Sequence, residues 1–158
     1  MEYYAEQRIE AVSAGLITLR KASDRPNWFQ LDDAPARMLG PCGAAVERAL
    51  AARDFLLAAG EESVLREQAL KIAPSALLET RFEPTPEGWA LDSTRLRLTE
   101  ALAYEQEIPA AFAAFIAQCR EGQRPGELLD APATDAETRA RLLNGLRMLI
   151  ARGFLIPA

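Results

Sequence analysis

PAAFAAFIAQCREGQRPGELLDAPATDAETRARLLNGLRMLIARGFLIPA, residues 109–158, is the stretch that decides the fold. Phe112, Phe115, Ile116 and Cys119 recur at helical spacing after Pro109, and Gly122 closes that run. PGELL, from Pro125, reads as a short second helix. Thr134 or Asp135 caps a third, with Glu137 in its first turn and Leu142, Leu143, Leu146, Leu149 and Ile150 as its apolar stripe. Gly153 stops it, and Phe154, Leu155 and Ile156 form a short terminal strand. Helix, short helix, long helix and strand are the layout of a winged-helix-like unit.

Upstream the period shortens to two. In ALLETRFE, from Ala76, residues Leu78, Thr80 and Phe82 share one side. PTPEG is turn chemistry, WALD (Trp89 to Asp92) is the returning strand, and Leu96 and Leu98 alternate with Arg95 and Arg97. A small antiparallel sheet is therefore expected to lead into the terminal helices. Before it, AAVERALAARDFLLAA forms a helix with Pro41 suited to its first position, and Gly60 stops it. A further helix is expected over about residues 62–73. Residues 3–14 have helical spacing. The alternation in Leu16 to Lys21, followed by a turn and by Trp28 to Leu31, predicts an N-terminal hairpin. The fold class is α+β. Its expected parts are a helical and hairpin segment over 1–75, and a sheet with the winged-helix-like unit over 76–158, or one continuous domain.

The composition narrows the chemistry. Histidine is absent, which removes the side chain most used as a general base near neutral pH and the commonest metal ligand. Cys42 and Cys119 are the only cysteines and lie far apart in the chain, so a structural zinc site is not expected. No cofactor is called for by any motif. Glu2, Arg8 and Glu10 interrupt the start of the chain, so no signal-peptide core is read there, and a cytoplasmic setting with free thiols is expected. A net charge of -5 gives the whole chain no attraction to nucleic acid or anionic lipid. From Pro109 onward, however, six Arg against five acidic residues leave a balance of +1.

Four groups are candidates for function. Cys42, at the start of a helix, is the best placed thiol, since a helix N-terminus favours thiolate. With no histidine to act as its base, a small packed residue is the plainer reading. Trp28, Phe29 and Trp89 offer broad aromatic surface for a ligand pocket, although alternation in strands ordinarily means core. Arg139, Arg141, Arg147 and Arg152 decorate the third terminal helix, the element that would enter the major groove in a winged-helix DNA binder. Asp135 and Glu137 at its N-terminal end oppose that use, and solvated arginines are the ordinary alternative. Glu100, Glu105 and Glu107 are acidic neighbours, read as a solvated edge rather than paired catalytic carboxylates.

GLITLRKASDRPNWFQ, ARMLGPCGAAVERALAARDFL, GWALDSTRLRLTEALAYEQEIPAAFAAF, RPGELL and the closing ARGFLIP together carry a resemblance. They resemble an accessory region, of C-terminal or regulatory type, in bacterial class I S-adenosylmethionine-dependent methyltransferases, outside their catalytic Rossmann-like domain. Gly40 and Gly43 in GPCG precede a helix but lack the parallel-sheet context of a nucleotide-binding loop, so no cofactor residue is carried over. The resemblance implies a non-catalytic accessory or regulatory module, acting with or as part of such an enzyme. Its helices would offer an apolar face to a protein partner or a second copy. The alternative is a DNA-binding transcriptional regulator. Neither metal nor membrane is implied as a partner.

Overall fold

The computed structural model describes residues 6–8, 15–21, 27–35, 37–60, 62–119, 122–130 and 135–158. The chain divides after Ala34 into two units. Among the described residues five helices and seven strands run from Met38 to Pro157 in the second unit, and Glu6 of the first unit is helical. The chain is of mixed α+β class.

In the first unit the expected hairpin is not formed: residues 15–21 and 27–34 contain no strand. Leu16, Ile17, Leu19, Phe29 and Leu31 are between 75% and 90% exposed. Alternation supplies two faces, but a two-stranded ribbon holds only where a third element covers its apolar side. Apart from residues 6–8, the helix expected over 3–14 lies outside the described residues.

The second unit begins with β1 (Met38–Leu39) and α1 (Gly43–Ala58). Cys42 rather than Pro41 sits at the helix boundary: it is the N-cap, and its carbonyl accepts from the Val46 N–H at 3.0 Å. After α1 come α2 (Glu62–Glu67) and β2 (Leu70–Ile72). The helix expected over 62–73 is thus cut short. Leu70 and Ile72 flank Lys71 with strand alternation, and the partners that make β2 a strand lie more than fifty residues further along. These are Gln123, whose N–H and carbonyl both bond Leu70, and β7 (Leu155–Pro157), in the register Leu70↔Pro157 and Ile72↔Leu155.

The sheet expected in the middle of the chain is present. β3 (Ala76–Thr85) and β4 (Gly88–Leu98) form a hairpin, β5 (Ala101–Leu102) pairs with β1, and β6 (Glu105–Glu107) returns on β4. The segments WALD and TRLRL are one continuous strand, β4. The terminal layout follows in the expected order: α3 (Ala110–Gln118), α4 (Pro125–Leu129), α5 (Ala136–Ala151) and β7.

Two ends fix α5. At its start the Asp135 carboxylate accepts the Thr138 N–H at 2.7 Å. At its finish Gly153 takes φ +77°, the Phe154 N–H reaches back to the Leu149 carbonyl at 2.9 Å, and the Gly153 N–H reaches Ile150 at 3.0 Å. This is a Schellman motif, and its usual apolar contact is supplied by buried Phe154 and Leu149. The motif turns the chain so that Leu155 to Pro157 run back along β2. All five residues of the α5 stripe are buried in one core with Phe112, Phe115, Ile116, Leu129, Leu96 and Leu98.

Gly145 on α5 lies against Phe112 of α3. A Cβ built there would lie 2.6 Å from Cζ of the buried Phe112 ring. Gly145→Ala is expected to lower stability by about 1–3 kcal/mol through overpacking, despite the gain of about 1 kcal/mol in helix propensity. A thermal melt checks this, and a raised Tm would contradict it. Asp135 gives a second test. The Thr138 N–H holds its carboxyl below the ordinary value of 3.8. A lowered folded-state pKa means stabilisation present above 3.8 and lost as pH falls through the folded value. The wild type should therefore melt above Asp135→Asn at neutral pH, and the margin should close in acid.

Candidate functional site

The candidate surface is the β3–β4 hairpin, and it follows from how the two strands face each other. Near its base Ala76↔Leu98, Leu78↔Leu96 and Thr80↔Thr94 are paired. Leu96, Leu98 and Thr94 are buried, and Ala76 and Leu78 pack against the core. Between Arg81 and Phe82 the register shifts: Arg81 faces Ser93, and Phe82 faces Leu91. Asp92 is the extra residue of this β-bulge. Without it Phe82 would oppose Asp92, and Leu91 would turn to the other side. With it, Phe82↔Leu91 and Pro84↔Trp89 continue the apolar face that begins in the core.

Along that face burial gives way to exposure. Phe82 is 54% exposed, Leu91 48% and Trp89 74%. The opposite face is ionic. Arg97 donates to Glu79 at 2.7 Å, Arg95 to Glu105 at 3.2 Å, and Arg81 lies 3.5 Å from Asp92. Exposed pairs of this kind each contribute little, on the order of 0–1 kcal/mol. Their effect is on the shape of the surface, since they occupy one face and leave the other apolar. At the tip, Pro86 and Glu87 form the loop and Gly88 takes φ +134°, a conformation suited to glycine.

The other candidates fall as follows. Trp28 and Phe29 belong to the first unit, while Trp89 stands on β4 in the second. Core packing, the ordinary reading of these aromatics, does not describe Phe29 or Trp89, which are exposed. Cys42 is half-buried, and its thiol donates to the Gly40 carbonyl at 3.5 Å. Arg141 pairs with Glu137 at 3.1 Å on the exposed side of α5. Arg139 and Arg147 are half-buried, and Nε of Arg139 has no hydrogen-bond partner. Arg152 donates to Gln106 at 2.6 Å and lies over the Tyr104 ring, 5.7 Å from its centroid. Because β6 is extended, Glu105 and Glu107 share a face, opposite Arg97 and Arg95 in register. Glu105 is thereby one member of the ionic face.

Phe82 and Leu91 were not candidates from sequence. The alternation of Leu78, Thr80 and Phe82 pointed to one face, but a bulge cannot be located without the register. A shallow depression of 420 Å³ along α2 is lined by Ser63, Val64, Glu67 and Gln68. Among the described residues no group of three or more Cys, Asp and Glu side chains is placed to hold a metal ion. No helix among them is long and apolar enough to cross a membrane.

These features define an α+β module whose most distinctive surface is a hairpin, ionic on one face and apolar on the other. The chain belongs to the family described as a domain of unknown function, DUF7782, whose model matches residues 47–157. That span takes in most of α1 and every element from α2 to β7. No curated protein matches the chain.

The two thiols should differ sharply. Burial pushes Cys119 up to about 12, so it stays a protonated, covered thiol. A thiol reagent at pH 8 should label the native protein at Cys42 alone, and reach Cys119 only after denaturation. Native labelling that survives Cys42→Ser would contradict this placement.

Proposed function

We propose that the chain is a non-catalytic accessory module that docks onto a protein partner through the apolar face of the β3–β4 hairpin. The observation that carries this reading is the run from Leu78 and Leu96 to Phe82, Leu91 and Trp89. It starts as core and continues, on the same face, as exposed surface. Exposed apolar area of this kind loses the free energy of burial, about 25 cal/mol per Å². A partner that covers it recovers that loss. Grouped aromatic and aliphatic residues are also the usual anchors of protein interfaces. The apolar surface expected on helices is thus assigned to a hairpin.

The resemblance to the accessory region of class I S-adenosylmethionine-dependent methyltransferases gives the partner its class, a protein or domain with such a catalytic fold. The absence of histidine agrees with a module that binds rather than catalyses.

A photo-crosslinking amino acid placed at Trp89 and, as control, at exposed Asn144 on α5 tests this in the source cell. The expected result is an adduct from position 89, and not from 144, whose peptides belong to a methyltransferase-type catalytic domain. Equal adducts from both positions, or none from 89, would overturn the reading.

A further inference from the structure

We infer that the free edge of β3 pairs with β3 of a second copy about a two-fold axis through Thr80. The inference rests on the hairpin being a docking element, and it specifies the form in which the apolar face is presented. In the order β3-β4-β6, β3 is an edge strand along its whole length among the described residues. Pro84 shows which groups point outward. Proline has no N–H to give, so within a sheet its nitrogen is turned to the open side. With the period of two, Phe82, Thr80 and Leu78 turn their backbone N–H and C=O groups to that same side. Ala76 is the end of the series, because its N–H is already bonded to the Ala73 carbonyl at 2.9 Å. The usable edge therefore runs from Leu78 to Phe82. An open strand edge is a template for another strand.

The side chains choose the occupant and the register. With Thr80 opposite Thr80, Leu78 meets Phe82 of the second copy, and Glu79 meets Arg81 of the second copy. Two-fold symmetry makes each of these contacts twice. Opposite charges directly across a ladder attract and like charges repel. A slip of one step toward the base sets Glu79 against Glu79. A slip toward the tip sets Arg81 against Arg81 and Glu79 against Glu83. Two steps toward the tip bring Thr80 opposite Pro84, which cannot donate. Two steps toward the base bring Thr80 opposite Ala76, whose N–H is taken. Only the register centred on Thr80 satisfies both the charges and the backbone.

The two-fold runs perpendicular to the joined sheet, so the apolar faces of both hairpins lie on one side. Two narrow strips, each ending in Phe82, Leu91 and Trp89, become one broader face. The ionic faces, with Glu79 shared between Arg97 of its own chain and Arg81 of the second, lie on the other side.

The test is the solution mass of wild type, Glu79→Arg and Arg81→Glu by sedimentation equilibrium, with circular dichroism to confirm folding. Wild type should reach twice the chain mass. Each variant sets like charges across the axis and should stay at the chain mass, with at least a tenfold weaker association. Mixing the two variants restores both opposite-charge contacts and should restore the doubled mass. In wild type, the amide N–H groups of Leu78, Thr80 and Phe82 should exchange more slowly as concentration rises. A monomeric wild type up to about 1 mM, a doubled mass that either single variant keeps, or exchange at those amides that ignores concentration would each overturn the inference. A monomer that still gives the position-89 adduct would remove the second copy and leave the docking reading intact.

Discussion

The organisation of the second unit depends on one short strand, β2, anchored by the buried Leu70. Leu70, in β2, is bonded on one side to Gln123 and on the other lies against the end of the chain, where the Ala158 N–H reaches the Ala69 carbonyl at 2.9 Å. Three distant parts of the sequence thus share one hydrogen-bonded ladder. Unpaired backbone groups at a buried site cost about 1–3 kcal/mol each, so β2 cannot leave this place without orphaning the groups on both sides. The Schellman turn at Gly153 supplies the condition for it, because it aims β7 at β2 rather than onward from α5. The Ile72 N–H, bonded to the Cys119 carbonyl at 3.0 Å, ties the same strand to the end of α3. Ion pairs from Arg66 to Asp130 and from Arg124 to Glu67 join α2 to the region of α4.

The hairpin inherits its position from that frame. Leu96 and Leu98 sink into the core made by α3 and α5, which sets the face that β4 turns inward. From there the chain has only alternation to work with, and strict alternation would have placed Asp92 on the apolar side. The bulge corrects the phase at the cost of a local interruption in pairing. It also sends Asp92 to the ionic side, where Arg81 lies. A single extra residue therefore separates the two kinds of chemistry over the rest of the hairpin.

What was legible in the sequence follows the range of the interactions involved. The α5 stripe and the stop at Gly153 are local patterns that occur where the residues indicate, and of the two cap residues offered, Thr134 and Asp135, the structure uses Asp135. The β3–β4 hairpin is also local, since its partners are joined by a short turn. β2 was hidden because its alternation is only three residues long and its partners are far away in sequence. Leu16 to Lys21 shows the converse: the alternation of Ile17 and Leu19 is clear, yet these residues are exposed and form no strand. Trp89 was visible as an aromatic and Phe82 as part of a strand face, but their alignment with Leu91 was not, because the bulge that produces it has no signature of its own.

The hairpin also bears on how binding can be economical. Association costs the freedom of whatever it immobilises, commonly about 0.5–1.5 kcal/mol for each rotamer-rich side chain. Phe, Leu and Trp have few rotatable bonds, and Pro84 has essentially none to lose. The strands that carry them are already fixed at the base by Leu78, Leu96 and Leu98 and along their length by the β3–β4 ladder. A flexible loop bearing the same residues would have to be ordered on contact. Here most of that ordering is done by folding, and the same core that stabilises the module also aims its exposed face.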